Sequence, residues 1–275
     1  MRVIIGSGKV ANVIRKHDDI IIPHSSIEVT DIESVFSVLS KYEKDTPVIN
    51  TASKINLEWC EENQTKAESV NTHGAINVAK ACQKFDLHLV HISSGCIFDG
   101  EESEKVYTEE DIPTPAAWYT KTKTMADVGI LDLSYEKVTI VRPRQLISAI
   151  ANPTNMLTKF LSLDEGKFIT SKNSVTCIED MGEMIQHLLD GKHYGIYNLA
   201  NIGCLSPYEI AMELKKTLKN SLSVTPITYH EHLKNIKVKR VNTILDIRKL
   251  LSTGYTPRSA YDALQWCISN YGEKS

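Results

Sequence analysis

The sequence lacks any cysteine pair at C-x-x-C spacing, any long apolar run and any excess of positive charge. Its six cysteines, at 60, 82, 96, 177, 204 and 267, are scattered. A structural zinc site needs a tight cluster of ligands, so zinc is not expected. Free thiols are, of the kind kept reduced in the cytosol. The nine histidines show no ligand spacing, and no metal is assigned. No stretch approaches the roughly 20 apolar residues that span a bilayer. The opening MRVIIGSG enters a strand at once and leaves no room for a signal peptide. The expectation is a cytoplasmic chain without a membrane partner. Lysine and arginine total 31 against 34 acidic residues, a net charge of -3, which is no footprint of a nucleic-acid binder. Internal repeats and low-complexity segments are absent too.

What is present is an alternation of short apolar runs with helical periods. RVIIG is a strand ending at glycine, KVANVIRKH has helical spacing, and DIIIP is a second strand. Ile32, Val35, Phe36 and Leu39 recur at three- and four-residue steps behind Asp31, a natural N-cap. PVINTAS and LHLVHISS read as strands around a long helix over 64–85. WYTKTKTMADVGIL reads as a helix and KVTIVRPR as the next strand. Strands alternating with helices predict an α/β fold: a Rossmann-type, doubly wound parallel sheet covered on both faces. Beyond Arg142 the rhythm loosens. Residues 1–150 are expected to form the dinucleotide-binding domain. Residues 151–275 are expected to form mainly a smaller C-terminal substrate-binding lobe, with some later elements returning to the first half.

Gly6, Gly8 and Ala11 make a G-x-G-x-x-A turn between the first strand and helix. Glycines let a backbone turn tightly and approach a pyrophosphate, which free N–H groups then bind. The position of the turn, straight after a first strand, points to a dinucleotide site. Gly6, Gly8, Lys9 and Val10 are the contacts expected there, with Thr51, Ala52 and Ser53 at the end of the third strand. After the second strand stand Ser25 and Ser26, with no carboxylate before Glu28. Without a repelling charge, a 2′-phosphate is tolerated. NADPH is therefore the expected cofactor, with NADH the alternative.

Tyr119 and Lys123 lie four residues apart, on one helical face. An ammonium beside a phenol stabilises the phenolate and lowers a pKa that is ordinarily about 10. Such a pair hands a proton to a carbonyl oxygen as hydride arrives, while the lysine holds the nicotinamide ribose. Of the eleven tyrosines, only Tyr119 has a lysine four residues on.

Together the glycine turn, NTAS, VNTHGAINVAKAC, SSGCIFDG and the Tyr119–Lys123 pair resemble the extended short-chain dehydrogenase/reductases. Within them the chain is similar to the dTDP-4-dehydrorhamnose reductase group. NLEWCE, EEDIPTPAAWYTKTK, NPTNMLTKF and NSVTCIEDM resemble segments of its plant-type 3,5-epimerase/4-reductases, in the same order. The glycine turn is one residue shorter than that family's G-x-x-G-x-x-G and ends in alanine. The stretch from Cys96 to Tyr119 is shorter too.

The resemblance implies an NADPH-dependent enzyme that epimerises two carbons of a nucleotide-linked 4-keto-6-deoxyglucose and then reduces the ketone, giving the L-rhamnose nucleotide. UDP is the expected carrier, and a homodimer is compatible with the family. It implies that Ser94 orients the carbonyl, that Tyr119 and Lys123 complete the triad, and that Cys96 and Lys159 share the epimerase acid/base roles, with either one able to remove the proton. A carbonyl acidifies the hydrogens on its neighbours, so inversion needs one group to take a proton and another to return it from the opposite face. The bland alternatives are a buried small thiol at Cys96 and a solvated helix lysine at Lys159. Asn155 is a candidate for the sugar diphosphate or a helix cap. Asn71 is a candidate at the cofactor side or a helix-interior hydrogen-bonder. Arg240 is a candidate for phosphate or an ordinary ion pair. Glu58 and Glu61 form a carboxylate pair or a solvated face. Two other functions compete: a reductase without epimerase activity, and a non-catalytic subunit that only binds dinucleotide.

Overall fold

A computed structural model describes residues 1–100 and 105–272. Six parallel strands form its central sheet, in the order Gly195–Leu199, Val138–Pro143, His88–Ile92, Pro47–Asn50, Val3–Ile5, Ile20–Ile22. The middle strands are apolar on both sides because both faces are covered, as parallel sheets require. Val3, Ile5, Val48, Leu89 and Ile140 face one layer, with the helices Ile32–Leu39, Ala75–Phe85 and Trp118–Leu131. Ile4, Ile49, Val90 and Val141 face the other, with Lys9–Ile14 and Ile178–Asp190.

The chain order of these strands reverses between Val3–Ile5 and Pro47–Asn50. In open α/β sheets a ligand crevice forms at such a switch point, beyond the carboxyl ends of the strands. Gly6 and Thr51 stand at those two ends.

Two elements depart from the sequence reading. The expected helix over 64–85 is interrupted: Gln64–Glu68 and Ala75–Phe85 are α-helical, and Ser69–Gly74 between them is a π-helical turn. Such insertions concentrate at functional sites. This one turns Asn71 and Thr72 inward, and it brings Gly74 so close to Val29 that a Cβ would sit 2.8 Å from a methyl carbon. The helix Ile178–Asp190 was not read from the sequence, although Ile178, Met181, Met184, Ile185 and Leu188 carry its period and are buried. Each such side chain contributes about 1.5–3 kcal/mol.

The strand Gly195–Leu199 pairs with Val138–Pro143 across the register Gly195 to Thr139 through Leu199 to Pro143. Late chain thus completes the early sheet. A second core in the C-terminal part gathers around Ile147, Leu157, Val175, Cys177, Leu214, Leu264 and Cys267. A separate parallel pair joins Glu165–Ile169 to Ser223–Ile227. No helix among the described residues is long and apolar enough to cross a membrane.

Candidate active site

The crevice at the switch point is a cavity of about 230 Å³, and Gly6, Gly8, Thr51, Ala52 and Ser53 line it. Gly6 has φ +102°, and a Cβ there would lie 2.6 Å from Thr51 Oγ1. Only glycine meets both demands. Gly8 opens on free space, with nothing within 4 Å of a Cβ. Thr51 is fixed by donating its hydroxyl to the Ile5 carbonyl at 2.8 Å. The short glycine turn therefore leaves a clear approach for a dinucleotide.

Beyond the second strand, His24 and Glu28 line the crevice, while Ser25 and Ser26 are exposed outside it. The serines sit on a single 3-10 turn, His24–Ser26, that carries them away from the cavity. The Glu28 carboxylate accepts from the Thr30 N–H at 3.1 Å and hydroxyl at 2.8 Å, which holds its pKa below the ordinary value. Lys9 is half-buried at the helix start and donates to the Thr154 carbonyl at 3.1 Å, across to the C-terminal lobe. Burial and the nearby Lys159 charge lower its pKa to about 8, against the pull of Glu179. Val10 packs against the core rather than the cavity.

The helix Trp118–Leu131 turns a polar face inward: Thr120, Thr122, Lys123 and Asp127 are all buried. Buried polar groups are costly unless partnered, and here each side chain has a partner, although Asp127 Oδ1 is left without one. Thr122 Oγ1 donates to the Tyr119 carbonyl at 2.7 Å and accepts from Asn71 Nδ2 at 3.1 Å. Lys123 Nζ donates to the Ile92 carbonyl at 2.8 Å and lies 3.2 Å from His91 Nε2. Asp127 pairs with Arg142 at 3.2 Å, both nearly without exposure. Burial keeps His91 neutral, and the Lys123 charge adds to that. Burial lowers Lys123 to about 8, and Asp127 opposes it.

Ser94 follows the strand His88–Ile92, and its hydroxyl accepts from the Cys96 N–H at 3.2 Å. That bond sets the 3-10 turn Gly95–Ile97 and presents residue 96. Burial raises the Tyr119 pKa, the adjacent Cys96 raises it further, and a hydrogen bond from Ser94 pulls the other way. The expected lowering by Lys123 is thus corrected. Its ammonium is turned onto the Ile92 carbonyl and His91, and burial holds the phenol neutral.

The other candidates separate. Asn155 is fully buried, donating to the Ser148 and Ile150 carbonyls at 2.7 and 2.9 Å and accepting from Leu157 N–H at 3.2 Å. It is a helix cap and tether, with nothing left for a diphosphate, which corrects its assignment to substrate. Asn71 is equally enclosed. Its amide oxygen accepts from Ser53 Oγ and Lys54 N, and its nitrogen donates to the Lys54 carbonyl. It ties the loop Ser53–Lys54 to Thr122 on the helix Trp118–Leu131 and is not among the residues that line the cavity. Arg240 pairs with Glu58. Glu61 accepts from Trp118 N–H at 2.6 Å and so anchors the start of the Tyr119 helix. Lys159 is exposed, close enough to Lys9 and Glu58 to influence both.

Sequence reasoning missed one neighbour of the site. Arg144, just past the strand Val138–Pro143, donates through Nη1 to Cys96 Sγ at 3.2 Å. Its basic character in RPRQL was visible; its reach to residue 96 is set by the pairing of Val138–Pro143 beside His88–Ile92.

Residues 6–272 match the family described as RmlD substrate binding domain. The chain belongs to this family. Its RmlD-type relatives are enzymes, in line with the resemblance carried by the motifs. The bifunctional dTDP-4-dehydrorhamnose 3,5-epimerase/dTDP-4-dehydrorhamnose reductase of Arabidopsis thaliana is 30% identical over 232 residues, covering 81% of this chain and 73% of that protein. A trifunctional UDP-glucose 4,6-dehydratase/UDP-4-keto-6-deoxy-D-glucose 3,5-epimerase/UDP-4-keto-L-rhamnose-reductase of the same plant is 28% identical. That match covers 80% of this chain but only 33% of the larger protein. The RmlD-type fold is shared with dTDP-4-dehydrorhamnose reductase of Bacillus anthracis, solved in complex with NADP. The TM-score is 0.89 at 23% identity, with 98% of each chain covered.

Proposed function

We propose that the chain is an NADPH-dependent reductase of a nucleotide-linked 4-keto-6-deoxyhexose that also inverts C3 and C5, yielding the L-rhamnose nucleotide, with UDP as carrier. One observation carries the reading: at the end of one strand the Ser94 hydroxyl holds the Cys96 N–H at 3.2 Å, and Lys123, one turn on from Tyr119, is seated on the Ile92 carbonyl at 2.8 Å. The named activities of the plant relatives support both halves of the chemistry.

The crevice walls suit a dinucleotide. Gly6, Gly8 and Thr51–Ser53 would hold its pyrophosphate and ribose, and His24, on the wall beyond the second strand, would meet a 2′-phosphate. Glu28, kept ionised by its bonds from Thr30, leaves a negative charge on the same wall, offset by the nearby His24 and Lys54. When bound, the nicotinamide supplies hydride to C4.

The chain's own residues do the rest. Ser94 donates to O4 and holds the ketone in place. Tyr119, kept neutral by burial, is already in the proton-donating form and delivers its proton to O4. Lys123, largely protonated at neutral pH, orients the ribose from its seat on the Ile92 carbonyl. Before reduction, Cys96 and Lys159 exchange protons at C3 and C5 from opposite faces. The enediolate that forms carries charge on O4, where Ser94 and Tyr119 stabilise it.

The test is incubation of the full chain with UDP- or dTDP-4-keto-6-deoxyglucose in deuterated water, without NADPH. Deuterium at C3 and C5 is the expected result. NADPH oxidation with a pre-epimerised sugar but no exchange would reduce the function to 4-reduction alone. Absence of both reactions would leave only dinucleotide binding.

A further inference from the structure

Two arginines leave the same strand and meet different fates. Arg142 is paired with the Asp127 carboxylate. Arg144, two residues on, has no carboxylate partner among the described residues. Its Nη1 donates to Cys96 Sγ at 3.2 Å, Nη2 donates to the Val241 carbonyl, and Nε is buried without a partner. A guanidinium always carries its charge and fixes its donors in a plane. Held by the Val241 carbonyl, it cannot swing away from the sulfur.

We propose that Arg144 is the positioning residue that keeps Cys96 in the thiolate form, making the sulfur the base of the epimerase reaction. The proposal rests on the epimerase reading above for its role, though not for its chemistry. The thiolate is the reactive form of cysteine, and a cation beside it favours that form. The Tyr119 phenol, on the helix Trp118–Leu131, lies within electrostatic reach of the sulfur. That phenol is neutral, so it does not repel a thiolate. The Ser94 hydroxyl lies on the same turn and is uncharged.

The step then balances. The Cys96 thiolate takes the proton from the carbon beside the ketone, and the C–H electron pair moves through the new C=C onto O4. The Lys159 ammonium gives a proton to the opposite face, and the electrons return from O4 to carbon. Thiol and amine re-equilibrate with water.

The test is the pH dependence of Cys96 alkylation by iodoacetamide, read by peptide mass spectrometry on the full chain without sugar or cofactor. The wild-type midpoint is expected below the ordinary thiol value of about 8.5. Arg144→Gln is expected to raise it by about one to three pH units, the reach of an opposite charge at contact. Arg144→Lys, which keeps a cation, is expected to restore part of the lowering. A wild-type midpoint at or above about 8.5 overturns the proposal without any variant. So does an equal midpoint in wild type and in an Arg144→Gln protein with unchanged circular dichroism. The outcomes stay distinct from those of the function itself: a lowered midpoint with no deuterium exchange keeps Arg144's effect and removes the epimerase.

Discussion

The two sides of the candidate site are built differently. On the sheet side, Lys123, His91, Asp127 and Arg142 are buried, and each is tied to a partner distant in sequence. On the lobe side, Lys159 is exposed and Arg240 and Glu58 form a partly exposed pair. Burial raises the cost of a wrong group and the value of a right one, so the groups proposed for reduction are held in place before any ligand arrives. The lobe side keeps its charges in water, where small rearrangements are cheap. Under the proposed function, a reduction needs one fixed geometry, and holding a sugar through two inversions needs latitude.

The contrast makes graded predictions. Tyr119→Phe is expected to have the largest effect. NADPH oxidation should drop by about 10²–10⁴-fold, the usual contribution of a positioned proton donor, while deuterium exchange at C3 and C5 is slowed less, because Ser94 still stabilises the enediolate. Turnover near wild type would remove Tyr119 as the acid. Next comes Asp127→Ala, which leaves the Arg142 charge buried alone. It should cost about 3–5 kcal/mol in urea unfolding, and a loss under about 1 kcal/mol would place the pair on the cheap side of the comparison. Asn155→Ala should cost about 1–2 kcal/mol through the lost cap while KM for the nucleotide sugar holds steady. A large rise in KM at unchanged stability would return Asn155 to the substrate.

pH sharpens the comparison further. The Lys123 pKa lies at about 8, so its ammonium is present below that pH and lost above it. The kcat for reduction is expected to fall as pH rises through that point, and a profile flat across it would detach Lys123 from the rate. Arg240→Ala should have the smallest effect, about 0–1 kcal/mol, because its pair is partly solvated.

How much of this was legible in the sequence follows the same division. Local signals carried far: the glycine turn, the Tyr119–Lys123 spacing and the strand–helix alternation all lie within a few residues of what they imply. Ser94 and Cys96 were legible as a mouth because they end an apolar strand. What failed depended on distant partners. Whether Asn155 faces solvent or the Ser148 and Ile150 carbonyls is decided by how its loop folds back. Arg144 meets Cys96 only through strand pairing across 48 positions of chain. The π-turn at Ser69–Gly74 leaves no periodic trace, since one extra residue per turn reads as noise within a helix. Ile178–Asp190 did carry a period, hidden by two methionines and a glycine within an acidic, polar stretch.

The pairing of Gly195–Leu199 with Val138–Pro143 has a consequence for biosynthesis. On the ribosome, the six-stranded sheet cannot gain its last strand until Leu199 has emerged. Until then Val138–Pro143, a run of uncapped amides and carbonyls, is free to pair wrongly or to meet a chaperone. Cutting the gene at the apparent boundary near residue 150 would freeze that exposed intermediate rather than release an autonomous module.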